Sequence, residues 1–293
     1  MRNQQRVLIW AFLLPTSALY ALFVLYPIFS AFYTSMFNWR GIGKMTWAGF
    51  ANYSRLLGDE NFLNALKNTG KYMLFQVPVI LLLAILFTMV IVNSKKSRLI
   101  EFYRTSLFLP YVLPAVAVAM LWSAVLNPVT GLLNNFLEAV GLGFLALEWL
   151  AEAGTAFGSL IWVQTWSAIG FYTVLLLAGV SNISEEVLEA AEVDGANWLQ
   201  RSFLIIIPML SDVMKVVVVF VLLNSLKLFA APQLMTNGGP YRSTEPISLY
   251  IYEQAFQNYN FGYASAIGVV FFLMILLLTI LTLQLMGGGN ENG

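Results

Sequence analysis

Six long runs of apolar residues, separated by shorter polar segments, divide the chain. Each run holds about 20 residues or more, the length that an α-helix needs to cross the hydrocarbon core of a bilayer. The runs predict membrane-spanning helices at about 8–30, 72–92, 105–126, 158–180, 204–229 and 263–286. We therefore expect an all-α integral membrane protein whose six transmembrane helices form a single domain over residues 1–293.

The first run follows two basic residues, Arg2 and Arg6, as the apolar core of a signal peptide would. It is too long for that assignment, because such cores hold about 7–15 residues. An uncleaved first span is therefore predicted, bent or ended at Pro15 or Pro27, since proline removes a helical hydrogen bond. The last span is followed by Gly287–Gly293, which is expected to form a disordered polar tail.

Two prolines, Pro110 and Pro114, are expected to break the third span. Irregular backbone at membrane depth is tolerated only against protein or against a water-filled cavity. The break is therefore either an ordinary packing kink or part of the lining of a pathway, and the sequence favours neither reading.

The composition excludes several classes of protein. Hydrophobic residues make up 59% of the chain and charged residues 10%, against about 25% charged residues in soluble domains. The 15 basic and 15 acidic residues cancel, so no nucleic-acid partner is indicated. Because cysteine and histidine are both absent, disulfides, thiolate or imidazole metal sites and Ser-His or Cys-His catalysis are excluded.

The chain also lacks a phosphate-binding loop of the G-x-x-x-x-G-K-[ST] type. The segment Gly41-Ile42-Gly43-Lys44 has neither the required spacing nor the hydroxyl residue. If the protein works against a gradient, we expect another chain to hydrolyse the ATP.

The loops differ in charge, and short cytoplasmic loops of membrane proteins are enriched in Lys and Arg. The loop Asn93–Arg104 is basic, whereas 127–157 is Gly-rich and acidic, which places the first in the cytoplasm, the second outside and both termini in the cytoplasm. The total count hardly separates the two faces, with seven basic residues inside and six outside. The inner seven are Arg2, Arg6, Lys95, Lys96, Arg98, Arg104 and Arg201, and the outer six are Arg40, Lys44, Arg55, Lys67, Lys71 and Arg242.

The stretch Ser184–Pro208, called the signature stretch below, is too acidic to lie in lipid, where a central carboxylate costs about 3 kcal/mol. Ser184 is expected to be the N-cap of a short helix. Asp194-Gly195 is expected to end that helix at a sharp corner, because glycine adopts the left-handed conformation easily. A second helix then runs towards Pro208. The acidic residues are Glu185, Glu186, Glu189, Glu192 and Asp194.

One face of the short helix carries small apolar side chains, and such a face lets another backbone approach closely. Its members are Val187, Leu188, Ala190 and Ala191. The helix is therefore suited to dock in a groove of another protein.

The signature stretch also contains a spaced set of residues that resembles a known motif. In order, the set is Glu189, Ala190, Ala191, Gly195, Ile205, Ile207 and Pro208. It resembles the EAA signature of permease subunits in binding-protein-dependent ABC importers: E-A-A, three residues, G, nine residues, I, one residue, L-P. The chain departs from that pattern only by Ile207 for Leu, and Asp194 before the glycine resembles the carbohydrate-importing branch.

The resemblance implies a type I ABC importer permease fold and a transport subunit that moves a sugar or related solute without an ATPase site of its own. It implies a coupling helix within 184–203 that sits in a cleft of an ATPase and comprises Glu189, Ala190, Ala191, Asp194 and Gly195. The implied partners are a second, different permease chain, two ABC ATPases that hold ATP and Mg, and an external solute-binding protein. The implied location is a bacterial cytoplasmic (inner) membrane, and the predicted orientation rests partly on this resemblance.

The fourth span carries aromatic and amide side chains that are candidates to line a sugar pathway. They are Trp162, Gln164, Trp166 and Tyr172. Aromatic rings stack on the apolar faces of sugars, but they equally pack within the protein or anchor a helix at the membrane interface. The sequence leaves both interpretations open.

Two rival functions compete with the importer. An ion-driven carrier needs an ionisable group near the middle of the membrane, and Asp212 would be that group. Asp212 lies near one end of its span, three residues before Lys215, and a structural ion pair is the plainer interpretation. A membrane enzyme lacks support, because paired carboxylates, imidazole and thiol are missing.

Overall fold

The computed structural model describes residues 2–94 and 98–287, and most of this chain is helical. The helices are α1 (Arg2–Tyr20), α2 (Tyr26–Ser35), α3 (Ala51–Leu57), α4 (Glu60–Asn93), α5 (Arg98–Val112), α6 (Ala115–Val125), α7 (Leu132–Ala139), α8 (Ala153–Val180), α9 (Glu185–Val193), α10 (Trp198–Gln200), α11 (Ile207–Met209), α12 (Ser211–Leu226), α13 (Ile247–Tyr252) and α14 (Phe261–Gly287). Wider π-helical turns span Ala21–Leu25, Arg201–Ile206, Pro232–Thr236 and Glu253–Gln257, and a 3₁₀ turn spans Gly143–Leu145. Lys95, Lys96 and the predicted tail from residue 288 onwards lie outside the described residues.

The candidate membrane crossings confirm the all-α membrane class. Four helical segments are long and apolar enough to cross a bilayer: Trp10–Ser35, Glu60–Asn93, Ala153–Val180 and Phe261–Gln284. Two further pairs meet the same criteria but are bent, Ile100–Val112 with Ala115–Val125 by 100° and Trp198–Met209 with Ser211–Leu226 by 70°. The described part of the chain therefore holds up to six spans if each bent pair is one span.

The prolines act at fewer places than the sequence predicted. Pro114 does break a helix, because α5 ends at Val112 and Pro114 occupies the N-cap position of α6. Pro110 and Pro15 lie inside α5 and α1 without ending them. Pro27 does not end the first helical segment, which continues to Ser35. A π-helical turn at Ala21–Leu25 precedes Pro27, and such a wide turn is a common site of a bend in a helix.

The described residues form two compact units. The first contains the residues up to Phe62 together with Tyr250–Leu277, and the second contains Leu63–Leu249 together with the residues from Leu278 onwards. In the second unit, α4, α8 and α12 share an apolar core around Ile80, Leu176 and Val217.

The first unit contains a short antiparallel hairpin in which β1 (Phe37–Asn38) pairs with β2 (Thr46–Trp47). The buried Asn52 fastens this hairpin, because its amide donates to the carbonyls of Ser35 at 2.8 Å and Phe37 at 3.0 Å. Both bonds satisfy backbone groups that would otherwise be buried without a partner.

Asp59 begins α4, because one of its carboxylate oxygens accepts hydrogen bonds from the backbone amides of Asn61 and Phe62. The other oxygen accepts from the hydroxyls of Tyr250, at 2.7 Å, and Tyr263. Burial by itself raises the pKa of the Asp59 carboxyl, but these hydrogen bonds outweigh burial and hold the pKa below its usual value. The carboxylate thus stabilises the fold at neutral pH, and this contribution is lost as the pH falls through the lowered pKa.

Gly170 permits the close packing of α5 on α8. A Cβ atom at this position would lie 1.8 Å from the carbonyl oxygen of Leu107, and backbone cannot move aside as a flexible side chain can. Gly170→Ala is therefore expected to destabilise the protein by roughly 3 kcal/mol. Thermal unfolding in detergent measures the effect.

Gly158 in the same helix is the matched control, because a Cβ there meets nothing within 4 Å. Gly158→Ala is expected to raise the melting temperature slightly, since alanine favours helix by about 1 kcal/mol over glycine. Equal melting temperatures for the two variants would contradict the close contact at Gly170.

Candidate functional site

The signature stretch folds into two short helices joined at a corner, as predicted. Helix α9 follows Ser184, which occupies the N-cap position but makes no capping bond with its side chain. The helix ends at Asp194, and Gly195 has φ +79°, in the left-handed region that glycine adopts most easily. A continuous helical segment follows from Trp198 to Met209.

Helix α9 has one face against its own chain and another face exposed. Ala191 is 6% exposed, and Leu188 packs against the cluster of Met89, Ile183, Ile206 and Leu210. Glu189, Ala190, Asp194 and Gly195 are all exposed. Of the two alanines of the signature, Ala191 is thus buried against its own chain, and only Ala190 belongs to the surface that another protein can reach.

Apolar side chains continue the exposed face of α9 around the corner. Val193 is 88% exposed, Trp198 56% and Leu199 45%. Such side chains grouped on a polar, water-facing segment are characteristic of a protein interaction site. A Cβ on Gly195 would meet no atom within 4 Å, so the corner itself is also open.

Arg201 fastens the corner to the end of α4. Its guanidinium forms an ion pair with Glu192 of α9 and donates to the side-chain oxygen of Asn93 at 2.6 Å. Asn93 in turn donates to the hydroxyl of Ser202 at 3.1 Å, and Ser202 is fully buried. The side chain of Arg201 is 17% exposed and its bond to Asn93 is partly shielded from water, whereas the side chain of Glu192 is 64% exposed. We call this set of contacts the Arg201 clasp.

A capping box begins the helix on the far side of the corner. The side chain of Asn197 accepts from the backbone amide of Gln200, and the side chain of Gln200 accepts from the amide of Asn197, each at 2.9 Å. This reciprocal pair is readable from the sequence as N-x-x-Q, and the sequence analysis missed it. The corner is therefore held rigidly on both sides.

A cavity of about 430 Å³ lies in the second unit between α4, α5, α6, α8 and α12. This volume falls within the usual range of ligand sites. Pro110, Leu113 and Ala115 belong to its wall, so the break between α5 and α6 lines the cavity. The break therefore lies against a cavity, where irregular backbone at membrane depth is tolerated.

Polar side chains from four helices, α4, α5, α8 and α12, converge on the cavity. Asn224 donates to the hydroxyl of Tyr172 at 3.0 Å, and Gln76 accepts from Ser225 at 3.1 Å. The remaining polar side chains in the wall are those of Tyr111, Gln164, Ser167 and Lys227. Most of the wall is apolar, its polar groups are neutral apart from Lys227, and no carboxylate lines it within the described ranges.

The structure divides the four candidate residues of the fourth span. Gln164 and Tyr172 line the cavity, whereas Trp162 and Trp166 do not. Trp166 packs edge to face on Trp122 with ring centroids 5.3 Å apart, and Trp162 is 55% exposed. Gln76 of α4, Asn224 of α12 and Lys227, which directly follows α12, also line the cavity, and no pattern in the sequence indicated them.

Asp212 and Lys215 pair with each other at 2.8 Å on the surface of α12. The side chain of Asp212 is 72% exposed and that of Lys215 is 34% exposed. The pair matches the structural interpretation, and Asp212 is not the enclosed carboxylate that an ion-driven carrier requires.

Comparison with known proteins identifies relatives over the whole chain. The profile of a family described as "binding-protein-dependent transport system inner membrane component" matches residues 80–286. A probable ABC transporter permease, YurN of Bacillus subtilis, is 33% identical over 292 residues, which cover 99% of this chain and 100% of the relative. The diacetylchitobiose uptake permease NgcF of Streptomyces coelicolor is 35% identical and the match covers 96% of this chain and 83% of the relative. The lactose permease LacF of Rhizobium radiobacter is 33% identical, with coverage of 93% and 91%.

Two solved structures share the fold. A bacterial ABC transporter involved in the import of the acidic polysaccharide alginate has a chain with a TM-score of 0.87 and 26% identity, covering 98% of both chains. A bacterial alginate transporter in complex with a periplasmic protein bound to an alginate pentasaccharide gives 0.88 and 25%, covering 99% of this chain and 97% of the other. The comparisons confirm that the chain resembles permease subunits of ABC importers.

Proposed function

The chain belongs to the family of binding-protein-dependent transport system inner membrane components, and from that membership we propose that it is a membrane-spanning subunit of an ATP-driven importer for a sugar or related solute. The observation that carries the proposal is the signature stretch, a polar corner with exposed apolar side chains fixed to two long helices. An external binding protein delivers the solute, and ATPase subunits on the other side of the membrane supply the free energy.

The exposed face of α9 and the corner at Gly195 form the surface that enters the ATPase. Glu189, Ala190 and Asp194 lie on this face, and Val193 and Trp198 extend it. The Arg201 clasp passes a displacement of α9 to α4, and the helical segment after the corner passes it to α12. A rigid connection of this kind converts closure of the ATPases into motion of the spans.

ATP shifts the equilibrium between conformations only if the ATPases bind each conformation differently. The ATP and Mg sites belong to the partner ATPases, and this chain contributes the rigid connection between the ATPases and the membrane spans. A second permease subunit, a different chain, completes the pathway. The signature stretch and both termini face the cytoplasm of a bacterial-type cell, and the protein crosses the inner membrane several times.

The cavity of the second unit is the solute pathway. Amide and hydroxyl groups of Gln76, Gln164, Asn224 and Tyr172 offer donors and acceptors suited to sugar hydroxyls. Tyr111 adds an aromatic ring, stacked on Phe171 at 4.5 Å between centroids. Neutral groups of this kind recognise an uncharged solute without the desolvation cost of an ion pair.

Purification of the full chain in mild detergent from its native host tests the proposal directly. We expect an ABC ATPase and a second permease to co-elute with it in fixed stoichiometry. A chain that elutes alone and still moves solute in vesicles would contradict the proposal.

Asn224→Ala is expected to raise the KM for solute uptake roughly tenfold, because it removes one hydrogen-bonding group from the cavity wall. Uptake by vesicles over a range of solute concentrations measures this change. Trp162→Phe is the control and is expected to leave KM unchanged, since Trp162 does not line the cavity. The opposite ranking of the two variants would place the solute pathway elsewhere.

A further inference from the structure

A polar cleft of about 380 Å³ opens in the first unit beside the β1–β2 hairpin and the beginning of α14. Three of its lining residues are the cations Arg40, Lys44 and Arg55, and its wall contains no carboxylate among the residues described. Three of the six basic residues predicted for the outer face therefore gather around one cleft. We propose that this cleft binds the phosphate of an anionic phospholipid headgroup.

The cations in the cleft have donors available for a ligand. Arg40 and Lys44 are exposed, and in the part of the chain that the structure describes neither side chain makes a hydrogen bond or an ion pair. The guanidinium carbon of Arg55 lies 4.0 Å from the ring centroid of Tyr263. Stacking of this kind uses the face of the guanidinium and leaves its in-plane N–H groups able to bind a phosphate.

The nearby carboxylate of Asp59, four residues after Arg55 in the sequence, does not bind the N–H groups of the cleft cations. Asp59 is not part of the cleft wall, and its two oxygens accept from the hydroxyls of Tyr250 and Tyr263 and from the first amides of α4. Like charges that share a concave surface repel one another, and a bound anion removes that repulsion.

The position of the cleft selects a lipid as the source of the phosphate. The segment Trp10–Ser35 ends, and the segment Phe261–Gln284 begins, beside the cleft, and both are candidate membrane spans. A site at the ends of two spans lies at the depth of the lipid headgroups. Trp39 is part of the wall, and Trp47 on the adjoining strand is 70% exposed, as is typical of the aromatic belt at a membrane interface.

The inference is independent of the transport function, because it depends only on the first unit. Lys and Arg are enriched in cytoplasmic loops, so few of them are expected on the outer face of the membrane. A bound anionic lipid accounts for the three basic residues of the cleft on that face. Arginine and lysine side chains at headgroup depth bind anionic lipids through the phosphate charge, and a zwitterionic lipid binds more weakly.

Native mass spectrometry of the full chain, stripped of lipid in detergent, tests the proposal by titration with phosphatidylglycerol or phosphatidylcholine. The variant R40Q/K44Q removes two cleft cations and leaves Arg55 on Tyr263. The matched control K67Q/K71Q removes two cations of α4 that do not line the cleft. Thermal unfolding confirms that each variant is folded.

We expect R40Q/K44Q to bind one phosphatidylglycerol about tenfold more weakly than the wild type. The control should bind it as the wild type does, and all three proteins should bind phosphatidylcholine equally. Equal binding of phosphatidylglycerol by R40Q/K44Q and the wild type, or equal weakening in both double variants, would overturn the proposal. Inorganic phosphate at millimolar concentration should not displace the lipid, and displacement would overturn the lipid as the source of the phosphate.

Discussion

Gly195→Trp is expected to reduce ATP-driven solute uptake more than 100-fold while the chain still inserts and folds in the membrane. A Cβ atom at Gly195 would meet no atom within 4 Å, so a larger side chain begins in open space. The residue has φ +79°, so any substitution with a Cβ costs about 1–2 kcal/mol of local strain. That strain is too small to unfold the protein, and the lost activity would come from steric conflict with the docked ATPase.

Gly195→Asn separates strain from docking. Asparagine visits the left-handed region more readily than other residues with a side chain, and it is much smaller than tryptophan. We expect Gly195→Asn to keep most of its uptake. Uptake by vesicles, combined with co-elution of the ATPase, measures both effects. If the Trp variant took up solute as the wild type does, the corner would not be part of the surface that contacts the ATPase.

Arg201→Gln is expected to uncouple ATP hydrolysis from transport, lowering the solute moved per ATP hydrolysed about tenfold. The substitution removes the guanidinium fork that holds Glu192 and Asn93 together. The bond to Asn93, a hydrogen bond to a charged group, contributes about 2 kcal/mol, and the more exposed ion pair with Glu192 contributes less. Without both, α9 moves without drawing α4 along. Simultaneous measurement of ATP hydrolysis and uptake in proteoliposomes gives the ratio.

Arg201 acts here as a positioning residue, and a purely structural role predicts a different result. Loss of stability alone would lower hydrolysis and uptake together and leave their ratio unchanged. Lys215→Gln is the control, because its ion pair with Asp212 lies on the surface, where such pairs contribute about 1 kcal/mol or less. We expect the ratio for this control to equal that of the wild type.

Local features of the sequence predicted the signature stretch well. The corner at Gly195 and the start of α9 after Ser184 depend on neighbouring residues, so the sequence contains the information needed. The Arg201 clasp, by contrast, does not depend on neighbouring residues in the sequence. Arg201 and Asn93 lie 108 positions apart, and only the packing of α4 against the corner brings them together.

The sequence also predicted only some of the α8 residues that line the cavity. The chemistry of Trp162, Gln164 and Trp166 suits a sugar pathway equally, but two positions along a helix correspond to a rotation of about 200°. The tryptophans therefore face away from Gln164, whereas Tyr172, eight positions on, faces the cavity with it. Helical periodicity alone distinguishes the two tryptophans from the cavity-lining residues of α8. The lining residues from α4 and α12 can be identified only in the three-dimensional structure.

The bends have partly local causes. Pro114 lacks an amide proton and breaks the third span as its sequence predicts. The fifth span was expected to run unbroken to Phe229, yet it bends by 70° between Met209 and Ser211 and its helix ends at Leu226. Pro208 sits just before this bend, and Leu210 packs there against Ile206 and Met89.

Solute uptake into proteoliposomes that contain the chain and its co-purified partners tests the central claim, that a separate ATPase drives the spans through the signature stretch. We predict that uptake requires ATP and the external binding protein, and that it is unchanged when ionophores collapse all ion gradients. Uptake without ATP, driven by an imposed proton or sodium gradient, would contradict the account.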